Sequence, residues 1–192
     1  MKNIFFLPFL FIAAFSVKAQ NNYLLIGTYT GGKSEGIYVY NFNSSTGDFS
    51  YVSKIKSANP SYLAVSPNQQ YVYAVNEEGR NEKGGSVTAY RFDKKTGQLS
   101  FLNQQLSGGD DPCYVAVDKT GKWVTAGNYT GGSIAVMPVQ PNGALGKLSA
   151  HIQHTGSSVN KERQEKAHVH CTYFLHSSKP SVFVFVCNYC SC

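Results

Sequence analysis

Short apolar runs recur along this chain, separated by clusters of Gly, Ser, Asn, Asp and Pro, a pattern that predicts strands and turns. Two stretches superimpose. One begins Asn59-Pro60-Ser61-Tyr62-Leu63-Ala64-Val65-Ser66-Pro67-Asn68, the other Asp111-Pro112-Cys113-Tyr114-Val115-Ala116-Val117-Asp118-Lys119-Thr120. Each continues into a second predicted strand, Tyr71-Val72-Tyr73-Ala74-Val75-Asn76 and Trp123-Val124-Thr125-Ala126-Gly127-Asn128. Each then reaches Gly-Gly-Ser, at Gly84-Gly85-Ser86 and Gly131-Gly132-Ser133, and enters a third strand, 87–92 or 134–139. A turn follows, Lys95-Thr96-Gly97 or Pro141-Asn142-Gly143, and a fourth strand starts near Leu99 or Leu145. Residues 23–28, 36–40 and 45–50 match the second strand, the third strand and the turn of the same unit.

The unit therefore has four strands and repeats about every 50 residues, which predicts an all-β β-propeller of four-stranded blades. A β-sandwich does not explain the repeated Gly-Gly-Ser. The first strand of each unit is apolar nearly throughout (Leu63, Ala64, Val65; Val115, Ala116, Val117), which predicts burial on both faces. The later strands alternate more and are expected to keep one wet face. Thr-Gly and Asn-Gly supply the positive φ that tight hairpins need.

A fourth unit opens at Ala167-His168-Val169-His170-Cys171-Thr172-Tyr173-Phe174, where His168 aligns with Pro60 and Pro112, and His170 with Tyr62 and Tyr114. After Phe174 the polar turn, the third strand and the Thr-Gly turn are missing. The expectation is a truncation or reading-frame change near residue 175, leaving about three to three and a half blades. Uncovered blade edges would then favour self-association.

Composition agrees with an all-β domain: Tyr (13) and Phe (12) are numerous, and long Leu/Ala/Glu/Lys stretches are absent. Lys2 precedes the apolar run 4–15, and Val17-Lys18-Ala19 ends it with small residues flanking Lys18, the layout of a secretory signal peptide. The run is too short to span a bilayer, so no membrane span is predicted. The organisation expected is a signal peptide over 1–19, a partial propeller over 20–174 and an aberrant tail over 175–192, with a periplasmic or secreted product. The formal charge is +6, but no Lys/Arg run clusters it, so no nucleic-acid partner is expected. Cys187, Cys190 and Cys192 give a Cys-x-x-C spacing without a second ligand pair, and neither a metal nor another cofactor is predicted.

Gly27-Thr28-Tyr29-Thr30 with Ser34-Glu35-Gly36-Ile37-Tyr38, then Val75-Asn76-Glu77, Asn128-Tyr129-Thr130-Gly131-Gly132-Ser133 and Arg163-Gln164-Glu165-Lys166-Ala167-His168-Val169-His170, resemble the signatures of the 6-phosphogluconolactonase-type lactonases, from about residue 23 to 174. The resemblance implies a ring of seven blades and hydrolysis of a sugar δ-lactone to its aldonic acid at the mouth of the central channel. Opening a lactone needs a base to activate water, donors at the developing oxyanion and a proton for the departing alkoxide. His168 or Glu77 is the candidate base, and Arg163 with His170 the candidate oxyanion or phosphate partners. Asn76 and Asn128 are the candidate holders of sugar hydroxyls, with Glu165 in the same cluster. No nucleophile elbow is present, so water is the expected attacker. A chain holding about half of the ring is expected to be nearly inactive by itself. Export favours an unphosphorylated sugar lactone as substrate. The alternative reading is a non-catalytic exported propeller that binds glycans or protein partners.

Overall fold

The computed structural model describes residues 22–79 and 84–174. The predicted signal peptide and the predicted tail from residue 175 lie outside the described residues. Among the described residues the regular elements are all strands, arranged in three sheets.

The first sheet holds β1 (Asn22–Gly27), β2 (Gly36–Phe42) and β3 (Phe49–Lys56) in that order. The second holds β4 (Leu63–Val65), β5 (Tyr71–Asn76), β6 (Ser86–Asp93) and β7 (Gln98–Leu106). The third holds β8 (Pro112–Val117), β9 (Trp123–Asn128), β10 (Ser133–Pro138) and β11 (Ala150–Gln153). Every neighbouring pair is antiparallel, and each sheet is a meander in chain order, as a propeller blade requires. The blades repeat in detail. Glycines 47, 97 and 143 close the equivalent turn at φ 81°, 69° and 86°, as the sequence predicts. The ladder slips at Val39/Tyr40 in one blade and at Ala89/Tyr90 in the next. The extra residue in each case, Val52 or Leu102, packs against the core between blades.

Burial corrects one sequence expectation. The innermost strands are only partly covered: Val65 is 47% exposed, and Ala116 and Val117 are half-buried. The strand buried on both faces is the second, with every residue of β5 buried and only Tyr71, at its start, keeping 9% exposure. The reason is the ring geometry. An innermost strand turns one face to the channel, whereas a second strand lies between two blades. Val72 and Ala74 pack with Ile37, Val39, Tyr90 and Phe92 towards the first blade. Tyr71, Tyr73 and Val75 pack with Val115, Val124, Ala126 and Met137 towards the third. Period-two alternation thus serves two apolar seams, and each fully buried Val or Tyr contributes about 1.5–3 kcal/mol.

The seams are also pinned by backbone and amide contacts. A Cβ on Gly27 would lie 1.9 Å from the Pro60 carbonyl oxygen, so only glycine admits the second blade there. Asn103 donates to the Leu145 carbonyl at 2.7 Å and accepts from its N–H at 2.8 Å, tying the second blade to the third. The opening of the fourth unit docks on the third blade through buried Ala167 and Val169 and through a 2.8 Å contact between the Thr125 and Thr172 hydroxyls. Those residues run along the place of an innermost strand without ladder pairing among the described residues.

Candidate active site

The loops that follow β1, β5 and β9 all end on one rim of the blades. Tyr29, Glu77 and Tyr129 occupy the same place in their repeats, each one residue beyond a polar side chain at or just past the end of its strand, Thr28, Asn76 and Asn128. Tyr29 and Tyr129 reach the following unit, through Glu77 and His168, whereas Glu77 is hydrogen-bonded to the entry of its own blade at Asn59 and Ser61. Asn59 and Asp111, the residues before the prolines, hold the blade entries in position at φ 41° and 51°, a conformation that Asn and Asp tolerate best among residues with a side chain. Asn59 accepts from the Thr30 N–H and from its hydroxyl, and its own carbonyl takes the Glu77 N–H at 3.0 Å. The Asp111 carbonyl takes the Tyr129 N–H at 2.8 Å.

At the junction of the first two blades, one oxygen of Glu77, Oε2, accepts from the Tyr29 hydroxyl at 2.8 Å and from the Ser61 hydroxyl. Its Oε1 has no partner among the described residues. Burial, then the hydrogen bond and negative charge of Glu77, push the Tyr29 phenol above its usual range, so Tyr29 stays a donor. Beside Glu77, the Cys113 thiol donates to the carbonyls of Val169 and His170 at 3.5 and 3.7 Å. Burial, reinforced by the Glu77 charge, pushes that thiol up to about 11, so it is not the thiolate a nucleophile would need at neutral pH.

Two seams further on, between the third blade and the fourth unit, the histidines gather on Tyr129. His168 stacks on its ring at 4.4 Å, 21° from parallel, and His170 meets its edge at 4.8 Å. The His168 Nδ1 lies 3.1 Å from the Tyr129 carbonyl oxygen, so it is the proton-bearing nitrogen of the neutral ring. Its Nε2 faces Glu165 Oε1 at 3.6 Å, where a proton taken up would be shared with a carboxylate. Glu165 is held below the usual carboxylate range by a backbone hydrogen bond and by His168. Burial and the neighbouring His168 hold His170 below its usual range, favouring the neutral ring.

The structure therefore brings His168, His170 and Glu165 together where the fourth unit meets the third blade, and places Glu77 on the same rim at the seam of the first two blades. Arg163 is not brought to them: its side chain lies exposed on the loop, and its guanidinium has no partner among the described residues. The expectation for Asn76 and Asn128 is corrected. Asn76 is 1% exposed and committed on every side, donating to the Ser57 hydroxyl and Ala58 carbonyl and accepting from Ser86, Thr88 and Gln104. Asn128 is fully buried and donates to the Ser107 carbonyl and Ser133 hydroxyl. Neither can present an amide to a sugar; they fasten the ends of blades. The register of His170 with Tyr62 and Tyr114 also fails in space. Tyr62 stacks on Tyr114 at 4.4 Å, and Tyr173, not His170, continues the series at 5.9 Å. Without a ladder to fix it, the fourth unit's opening segment turns a different residue inward. Sequence reasoning missed Tyr29, Ser61 and Tyr129. The signal was available, because Tyr29 and Tyr129 stand at the repeat position of Glu77.

The meander blades define a β-propeller, and the chain belongs to the seven-bladed β-propeller lactonase family, whose sequence model matches residues 23–188. The match passes residue 174, where the repeat's own motifs stop. Among individual proteins, the chain is 40% identical to a 6-phosphogluconolactonase of Bacillus subtilis over 150 residues, 78% of this chain and 42% of that one. A Bacteroides fragilis protein of known crystal structure is 42% identical, with a TM-score of 0.78 over 83% of this chain and 44% of that one. The periplasmic gluconolactonase PpgL of Pseudomonas aeruginosa is 34% identical, with a TM-score of 0.72 over 80% of this chain and 44% of that one. The chain thus spans less than half the length of these relatives.

Proposed function

We propose that this chain supplies one arc of a lactone-opening site at the mouth of a propeller channel, acting on an unphosphorylated sugar δ-lactone after export. The observation that carries the reading is a half-free carboxylate and a carboxylate-backed histidine on one rim, bridged by Cys113, which feels the Glu77 charge and donates to the Val169 and His170 carbonyls. Glu77, steadied through Oε2 by Tyr29 and Ser61, offers Oε1 to take a proton from the attacking water. His168, oriented through Nδ1 by the Tyr129 carbonyl, takes up a proton from solvent at Nε2 beside Glu165, and that proton passes to the ring oxygen as the acyl–oxygen bond breaks. His170 and Tyr129 wall the histidine from solvent. The charged leader argues for export, and the naming of the Pseudomonas relative as a periplasmic gluconolactonase supports an unphosphorylated substrate.

The test joins residues 22–174 to the remaining blades of the Bacillus subtilis relative, closing the ring. Acid release from δ-gluconolactone in a lightly buffered assay should run well above spontaneous hydrolysis. Turnover of the 6-phosphate alone would overturn the substrate assignment, and turnover of neither by a folded ring would overturn the site. Export is checked separately: the mature product should begin at Gln20, and a retained Met1 in an envelope fraction would contradict it.

A further inference from the structure

The end of the blades opposite the rim carries a second feature that lactone opening does not use. Where the second and third blades meet, a half-open cleft of about 520 Å³ lies between the β4–β5 and β8–β9 hairpins and the end of β10. Tyr71 lines the cleft at the start of β5, and Asn76 ends that strand below the rim, so the strand's full length of about 17 Å separates the two ends.

Its lining is chemically one-sided. Pro67 and the indole of Trp123, which is 37% exposed, supply flat apolar surface. Around it stand the Trp123 indole N–H, the Lys122 ammonium, the Tyr71 hydroxyl, the Asn68 amide N–H groups and the Gln140 amide, none with a hydrogen-bond partner among the described residues. Asn68 is held so that only its nitrogen is available, because its oxygen accepts from the Ser66 hydroxyl and the Gln70 N–H. No Asp or Glu lines the cleft. The nearby Asp118 carboxylate is spent on the hairpin, accepting the N–H groups of Thr120, Lys122 and Trp123.

The fold alone does not dictate this chemistry. The seam between the first and second blades has a cleft of the same size, about 520 Å³, at the same end. There the walls are Leu25, Val65, Val72 and Phe92, and the polar groups satisfy one another: Tyr23 donates to the Lys94 carbonyl and the Lys94 ammonium to Gln69.

An open site with an aromatic floor, one cation and a surplus of donors suits a ligand rich in acceptors and carrying negative charge. We propose that this cleft binds a sugar acid, its ring face on Trp123 and its carboxylate on Lys122. Trp123 is the single tryptophan of the chain, so its fluorescence reports on the cleft directly. Titrating the full chain with sodium glucuronate at constant ionic strength should give a saturable change in that fluorescence. Glucose at equal concentration should give none, and Lys122→Ala should weaken the glucuronate response at least tenfold. Calorimetry on Trp123→Phe should show a comparable loss in a folded protein. No saturable response to glucuronate, an equal response to glucose, or an unaltered response in Lys122→Ala would each overturn the proposal.

Discussion

Asn76 and Glu77 follow each other at the end of one strand, and Asn128 and Tyr129 at the end of the equivalent strand one blade on, yet each pair divides between two tasks. The first member is buried and hydrogen-bonded into the blade; the second leans out onto the rim and meets a neighbouring unit, Tyr29 of the preceding blade for Glu77 and His168 of the following one for Tyr129. One step along the chain turns a side chain from the blade's interior to the channel mouth. Residue type says little about which side is which: an asparagine suits a sugar hydroxyl as well as it suits a strand end, and only position in the ring decides.

The largest effect that could break this division is on stability. Asn76→Ala leaves the Thr88, Ser86 and Gln104 donors without their shared acceptor in a buried place, and should cost about 3 kcal/mol, lowering Tm by roughly 6–12 °C. A loss below about 1 kcal/mol by thermal or urea unfolding would show that Asn76 is not the fastener described. Asn128→Ala should cost less, about 1–2 kcal/mol, because Asn128 gives up two donated bonds while its buried Oδ1 has no partner among the described residues. If it proves the more damaging of the two, the census of bonds misjudges the third blade.

A smaller effect sharpens the rim side. His170 has its folded pKa below the ordinary value of 6.5, so the unfolded chain takes a proton first as pH falls. Stability should be constant with respect to this group above about pH 6.5 and decline below it, and His170→Gln should flatten the decline between about pH 6.5 and 5. Identical slopes for the two proteins in pH-dependent unfolding would remove His170 from the buried rim. The smallest effect is expected at Arg163. In the closed ring, Arg163→Ala should change lactone turnover less than about threefold, whereas a loss of about 10²-fold would restore it to the oxyanion role that the sequence suggests.

Much of the fold was legible in the sequence because the repeat prints itself in residue types with local causes. Gly47, Gly97 and Gly143 announce the hairpins, and the apolar runs announce the strands. Which strand is doubly buried was not legible, since Leu63-Ala64-Val65 reads as apolar whether it lines a channel or a core. At the site, the histidine–glutamate cluster was found from its spacing within a few residues. Its partner Tyr129 and the Tyr29 support of Glu77 come from neighbouring blades 39 and 48 residues away, and Ser61 from the entry of Glu77's own blade, so the packed ring was needed to bring them close. The asparagines were misassigned for the same reason, as their partners Ser57, Gln104 and Ser107 sit on other strands or loops.

The most direct test of the division between fastener and rim is Glu77→Gln in the closed ring, assayed for δ-gluconolactone opening alongside thermal unfolding. The amide keeps an acceptor for Tyr29 and Ser61 but cannot take a proton from water. The expected result is a fall in kcat of about 10²-fold or more with Tm within about 2 °C of the parent. An unaltered kcat in a folded protein would contradict the assignment of Glu77 as the base.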